Sequence, residues 1–214
     1  MISTIPPVAP LQPTEDSLLL ERFLKGDDVA FSLIYNKYVD QLLAYGVGLG
    51  GERESLKDVM HDVFYKLYAE KRLLQGVRNL KSYLFQSFRN TLLNSYKSGR
   101  RMVGIQPYSG EFYMDVTVMD ELIETEERLH MQGEIERYLN SLTDRQREAI
   151  YLRFFQEFEY EEVAKLLNMT PHAARKLVSR AIITIREKFP LLFLVLYRPT
   201  AEKPTAEKPT AIKG

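Results

Sequence analysis

The chain has 214 residues, 45% of them apolar and 27% charged, with 29 basic side chains against 29 acidic ones and neither cysteine nor tryptophan. Those are ordinary globular values, which excludes wholesale disorder, and at about 100–200 residues per domain they fit one domain or two small ones. The lack of cysteine excludes a disulfide framework and any cysteine-based metal site, as a reducing compartment would favour.

The opening MISTIPPVAPLQP is proline-rich, lacks the charged and apolar regions of a secretory signal, and reads as an unordered tail. Residues 17–35 then place Leu18, Leu19, Phe23, Phe31 and Ile34 at three- and four-residue spacings, interrupted by the turn Lys25-Gly26-Asp27-Asp28. The second of these two helices is expected to run to the glycine-rich stop Gly46–Gly51. A third helix, over about 52–70, carries an apolar stripe of Leu56, Val59, Met60, Val63, Phe64 and Leu67. Residues 71–79 read as a loop. A fourth helix, over about 80–98, carries Tyr83, Leu84, Phe88, Leu92 and Tyr96 and ends at Ser98-Gly99, a glycine C-cap. Residues 99–116 have no clear period and read as a linker, followed by an acidic helix over about 118–140.

Leu142-Thr143-Asp144-Arg145-Gln146 has the form of a capping box, with Thr143 as N-cap and Gln146 reaching back to its amide. The sharpest local pattern follows. A short helix, Tyr160 to Leu167, puts Val163, Ala164 and Leu167 on one face. Asn168-Met169-Thr170 makes a tight turn, since Asn tolerates left-handed geometry. Thr170 then serves as N-cap and Pro171 as first helical residue. The second helix buries Ala174, Leu177, Val178, Ala181 and Ile182 and leaves Arg175, Lys176, Ser179 and Arg180 near or across the other face. A helix with an exposed first turn and flanking positive charge is what major-groove readout requires. His172, Ala173 and Lys176 are placed for base edges, and Arg175 and Arg180 for phosphate or base contacts. The segment Leu191 to Tyr197 is apolar but far shorter than the ~20 residues that span a bilayer. The tail beyond it repeats proline every fifth residue, at Pro199, Pro204 and Pro209, and cannot form a core.

Charge is segregated although the total is zero. Residues 52–101 and 171–214 each carry a net +6, while residues 102–136 carry −8 with Arg128 as their one base. Two basic regions flanking an acidic one suggest two separate contacts with a polyanion.

These patterns, in this order, resemble a bacterial RNA polymerase sigma factor of the small extracytoplasmic-function type, over roughly residues 15–100 and 130–190. FLKGDDVAFSLIYNKY (23–38) is similar to the family's opening helices. DVMHDVFYKLY (58–68) resembles its core-polymerase-binding helix, and NLKSYLFQSFRNTLLNSYKSGRR (79–101) its promoter-melting helix. LNSLTDRQREAIYLRFF (139–155) and YEEVAKLLNMTPHAARKLVSRA (160–181) resemble the −35-reading domain.

The resemblance implies an all-α chain of two small helical domains joined by a flexible acidic linker. A disordered tail (1–14) precedes a region 2-like bundle (15–100). A linker (101–129) leads to a region 4-like helix-turn-helix domain (130–190), and a short apolar segment with a low-complexity tail (191–214) ends the chain. It implies core polymerase binding through Asp58, His61, Asp62, Phe64, Tyr65 and Lys66. Capture of the melted −10 strand falls to the loop residues Lys71, Arg72, Gln75, Arg78 and Asn79. The helix face Arg89, Asn90, Asn94, Tyr96 and Lys97, with Arg100 and Arg101, shares that task. Unpaired bases need aromatic or guanidinium planes and single-strand phosphates need cations; Tyr96 is the better stacking candidate, and Tyr83 and Phe88 read as core. The −35 duplex falls to Thr170, Pro171, His172, Ala173, Arg175, Lys176, Ser179 and Arg180. The implied partners are core RNA polymerase, promoter DNA and an anti-sigma factor, in the cytoplasm, with no cofactor, metal or small-molecule substrate.

The acidic stretch 111–136 is expected to fold back over a basic face in the free protein. Departures from the family pattern are Glu159 where Ser or Thr often caps, Asn168 where glycine is usual, Ala173-Ala174 for Thr-Val, and Asn94 where an acid is frequent. No nucleophile–base pair, phosphate loop or metal spacing of His61, His130 and His172 points to an enzyme. The competing reading is a helix-turn-helix regulator that binds duplex DNA without polymerase; it needs nothing like 58–68 or 79–101.

Overall fold

The computed structural model describes residues 14–97, 112, 139 and 141–188, with the backbone alone at Leu73, Lys97 and Lys188. The N-terminal tail, Arg100, Arg101, the apolar segment and the repeat tail lie outside the described residues. So does the acidic stretch, apart from Phe112 and Leu139.

Every regular element among the described residues is a helix, with no strand among them, as the sequence pattern requires. Helix α1 (Glu15–Leu24) starts where the Thr14 hydroxyl oxygen accepts the Ser17 amide at 3.3 Å, and Glu15 and Asp16 complement the positive end of its dipole. It stops at Gly26, whose φ of 97° lets the Gly26 and Asp27 amides return to the carbonyls of Phe23 and Arg22. Asp27 then caps α2 (Asp28–Gly48), accepting the Val29 and Ala30 amides at 2.9 and 3.2 Å.

Helix α3 (Arg53–Ala69) and helix α4 (Leu80–Lys97) complete a four-helix bundle in which α2 touches α1, α3 and α4. Gly46 makes this approach possible. A Cβ there would meet Leu56 Cδ2 at 2.6 Å and Phe88 Cζ at 2.8 Å, so the three helices meet backbone to side chain. The apolar stripes converge on Phe23, Ile34, Leu42, Leu56, Leu84, Phe85 and Phe88, all fully buried. The segment expected to be a plain loop contains a 3-10 turn (Lys71–Leu74), because Leu74 is apolar enough to be drawn into the core.

The C-terminal helices form a second cluster. Helix α5 (Asp144–Ile150) opens with the expected capping box: the Gln146 amide donates to Thr143 Oγ1 at 3.4 Å and the Thr143 amide to Gln146 Oε1 at 2.9 Å. It continues as a π turn (Tyr151–Phe155), which the sequence pattern did not indicate. Helices α6 (Tyr160–Leu166) and α7 (Pro171–Lys188) pack on each other, and α7 also packs on α5, around Leu152, Val163, Leu167, Ala174, Val178 and Ala181.

The two clusters are docked. Tyr45 of α2 stacks on Tyr151 with ring centroids 5.8 Å apart and planes 4° apart, and Phe85 of α4 meets Phe158 edge-on at 5.1 Å. Phe112 fills the same seam, 6.1 Å from Tyr45 and 5.5 Å from Tyr151, its amide donating to Asp144 Oδ1. A linker residue is thereby fixed to both clusters.

Candidate nucleic-acid interface

The helix-turn-helix is built from short-range constraints. Asn168 takes a φ of 53°, and the next amide, Met169, returns to the Ala164 carbonyl at 2.9 Å, closing the turn. Thr170 Oγ1 accepts the Ala173 amide at 3.2 Å, and Pro171 begins α7 where no amide is needed. Ala164 and Ala174 are buried, which lets α6 and α7 approach closely. Glu159 replaces the usual hydroxyl cap, and its own amide is satisfied by Glu162 Oε2 at 2.9 Å.

The outcome is a face of α7 with His172, Lys176, Ser179 and Arg180 exposed and Ala173 half-buried between them. Arg175 differs from its neighbours. Its guanidinium pairs with Glu161 of α6 at 3.1 Å and lies 5.4 Å from the Tyr160 ring, which Arg153 also approaches at 5.1 Å. Lys176 and Arg180 have no salt bridge among the described residues. Among Arg175, Lys176 and Arg180, one cation is thus anchored to α6 and two are without an ion pair among the described residues.

On the bundle, Asp58, His61, Asp62, Tyr65 and Lys66 line the solvent side of α3. Tyr65 is 66% exposed, whereas Phe64 is only 3% exposed and packs against Phe31 and Tyr35. Phe64 therefore supports this strip from within the core and does not project from it. Beside the strip lies an open groove of about 420 Å³ whose aromatic lining includes Tyr35, Phe64, Tyr65 and Tyr68. Sequence reasoning passed over Tyr35 and Tyr68; the signal was available, because Tyr65 and Tyr68 lie one helical turn apart.

The residues expected to capture a melted strand are separated by the structure into two kinds. Arg72, Gln75, Arg78, Asn90 and Asn94 are exposed. Lys71 has its ammonium over the rings of Phe23 and Tyr68, at 4.5 and 4.9 Å. Tyr96 is half-buried against the core, as Tyr83 is, and Phe88 is wholly buried, in keeping with its reading as core.

Two others face the C-terminal cluster. Asn79 caps α4, accepting the Ser82 amide at 2.9 Å, and its side-chain amide donates to Glu162 of α6. Arg89 donates to Glu148 of α5 through Nε at 2.9 Å and Nη2 at 3.4 Å, and Tyr45 Oη donates to the same carboxylate at 2.7 Å. Glu148 is only 2% exposed. Burial, reinforced by the charge of Glu148, holds the Tyr45 phenol well above its ordinary pKa, so it remains a donor. Lys81 reaches the Gln156 carbonyl at 2.9 Å, and its burial lowers its pKa. Lys81 and Arg89 of α4 are thus turned toward the C-terminal cluster.

Residues 132–185, which hold α5 to α7, match the family model described as Sigma-70, region 4. The chain is 27% identical over 174 residues to the RNA polymerase sigma-H factor of Pseudomonas aeruginosa, covering 78% of this chain and 90% of that one. It is 28% identical over 188 residues to the ECF RNA polymerase sigma-E factor of Haemophilus influenzae, covering 83% and 97%. The sigma-E factor of Escherichia coli is likewise 28% identical, over 183 residues, covering 81% and 93%. Among solved structures, CnrH in complex with the cytosolic domain of CnrY matches with a TM-score of 0.54 at 17% identity, over 82% of this chain and 97% of that chain, a likeness of fold. These relatives span both helical clusters, so α3 and α4 are matched as well as the helix-turn-helix. Over most of its length the chain is thus similar to bacterial RNA polymerase sigma factors, among them ECF sigma-E factors.

Proposed function

We propose that the chain binds core RNA polymerase through the outer strip of α3, centred on Asp62, and holds the −35 duplex on α7 and the melted −10 strand on α4 and the 71–79 loop. The observation that carries this reading is the pairing, in one chain, of a capped helix-turn-helix having an open cationic face with a bundle bearing an exposed acidic-aromatic strip. A regulator that bound duplex DNA alone would use the first and leave the second idle.

Within that reading His172, Ala173 and Lys176 address base edges from the start of α7, and Arg175, Ser179 and Arg180 hold the flanking phosphates, with Thr170 and Pro171 setting the helix entry. On the bundle, Arg72, Gln75 and Arg78 surround an extruded base, while Asn90, Asn94, Tyr96 and Lys97 follow the strand. Arg100 and Arg101, outside the described residues, extend the same charge. The solved neighbour CnrH is paired with the cytosolic domain of a second protein. This supports an anti-sigma factor as a partner of the present chain too. No helix among the described residues is long and apolar enough to cross a membrane, and work alongside polymerase puts the protein in the cytoplasm.

The test is co-elution of the purified protein with core polymerase, with Asp62→Lys alongside. Binding by the parent and its loss in the variant is the expected result. No binding by the parent, while a duplex library is still retained, would transfer the protein to the regulator class.

A further inference from the structure

The 3-10 turn that follows α3 (Lys71–Leu74) winds with about three residues per turn, so residues three apart lie above one another on one face. Lys71 and Leu74 share one face, and Arg72 and Gln75 share the next. The side chains follow this division. Leu74 is 1% exposed and sits in the bundle core, whereas Arg72 and Gln75 stand in solvent. Lys71 carries a charge and still turns inward. Its ammonium lies 4.5 Å from the ring centre of Phe23 in α1 and 4.9 Å from that of Tyr68 in α3, inside the ~6 Å reach of a cation–π contact.

The two rings are themselves held. Phe23 is fully buried, the ring centroids are 6.0 Å apart, and Tyr68 Oη donates to Asp28 Oδ1 at 3.2 Å, at the start of α2. One ammonium thus ties the turn to α1 and α3, and through Tyr68 to α2. Past the turn the chain closes on itself twice. The Gln75 amide donates to the Arg72 carbonyl at 3.2 Å and the Val77 amide to that of Leu74 at 3.1 Å, with Gly76 at a φ of 87°. Those bonds are local, so they set the shape of the loop but not its seat on the bundle. Leu74 and Lys71 set the seat. Lys71 has no salt bridge among the described residues, and to reach a phosphate it would have to leave both rings.

We propose that Lys71 is a positioning residue of the −10 surface: clasped by Phe23 and Tyr68, it seats the turn and aims Arg72 and Gln75 at the melted strand without itself touching a phosphate. The inference rests on the sigma-factor reading of the 71–79 loop. It departs from the sequence expectation, which counted Lys71 among the strand contacts. The two roles make opposite demands on Tyr68. If Lys71 held a phosphate, removing the Tyr68 ring would free the ammonium and leave strand binding unchanged or tighter. If Lys71 seats the turn, removing that ring weakens strand binding although no charge is lost.

The test uses the full chain and a labelled single-stranded 12-mer that the parent selects from a random pool, with helicity followed by circular dichroism. Tyr68 is 44% exposed, so Tyr68→Leu should keep its helicity. It should bind the 12-mer about fivefold more weakly, because apparent affinity scales with the fraction of loops correctly seated. The slope of log K against log salt should stay as in the parent, and amide exchange should speed up across 71–79 alone. Lys71→Met should lose as much affinity, with the slope moving by less than about 0.3, against the ~0.7 that a lost strand phosphate would remove. The double variant should be no weaker than the worse single one, since both changes break one clasp. Tyr68→Phe and Lys71→Arg, which keep a ring and a cation, should retain parental affinity. Tyr68→Leu binding as tightly as the parent, or Lys71→Met losing the full phosphate slope, would overturn the positioning role. Faster exchange with strand affinity unmoved would overturn it too. Failure of the parent to co-elute with core polymerase would instead reject the sigma-factor reading, whatever the loop variants show.

Discussion

Gly46 concentrates the packing of the bundle at one atom, and Gly46→Ala tests that packing. Two effects oppose each other. Within a helix, alanine is favoured over glycine by about 0.8–1.0 kcal/mol. Against this, the new methyl would lie 2.6 Å from Leu56 Cδ2, 2.8 Å from Phe88 Cζ and 3.0 Å from Leu56 Cδ1. Both neighbours are fully buried, so neither can swing into solvent. Overpacking of this kind costs about 1–3 kcal/mol, and a clash with two helices at once belongs at the upper end. The net expectation is a loss of about 1–2 kcal/mol. Urea unfolding followed by circular dichroism at 222 nm should show the midpoint falling with the slope unchanged, and thermal unfolding should move down by about 2–4 °C per kcal/mol. A midpoint that stays or rises would mean that α3 and α4 can retreat from α2, and the argument that Gly46 sets their approach would be wrong.

The open cations of α7 give a second expectation. Arg180→Ala should weaken duplex binding at low salt and reduce the slope of log K against log salt by about 1, whereas Lys176→Ala should relax sequence preference; an unchanged slope for Arg180→Ala would remove it from the phosphate contacts. The buried phenols give a third. Tyr38 and Tyr45 both have their pKa raised, chiefly by burial, with carboxylates of Asp16 and Glu148 adding to it. A folded pKa above the unfolded value of 10.0 means that their contribution to stability is complete below pH 10 and is lost as pH rises above it. Ultraviolet titration should therefore show the Tyr38 and Tyr45 phenols ionising only as the protein unfolds. Ionisation of these two near pH 10 without unfolding would contradict their burial.

The helical plan was readable because each device is local. Thr143 and Gln146 are three residues apart, Asn168 and Thr170 flank one turn, and the stripe on α3 repeats within seventeen residues. The docking of the clusters was not readable. Glu148 sits three and four residues before the buried Tyr151 and Leu152, so a helical wheel puts it on the inner face, but its residue type points to solvent. Only Arg89 and Tyr45, far off in the chain, resolve that conflict. Arg89 was read on the outer face of an isolated α4, and the second cluster covers it; Asn79, read in the preceding loop, stays exposed but bonds to Glu162. Phe64 went astray for a smaller reason. Its neighbours Tyr65 and Lys66 are exposed, and one position around a helix, about 100°, separates projection from burial.

The division among the cations of α7 also bears on which ions DNA displaces. Arg175 already has Glu161 as its counter-charge, and Tyr160 lies alongside to narrow the directions it can take. A phosphate arriving there exchanges one anion for another, with no condensed cation to be released in proportion and with Glu161 left facing the backbone. In the proposed complex the ionic-strength dependence falls to Arg180 more than to Arg175, which keeps a fixed bearing against α6. Two arginines on one helix face, alike in sequence, come to hold different thermodynamic offices because one of them was engaged by the protein before any ligand was present.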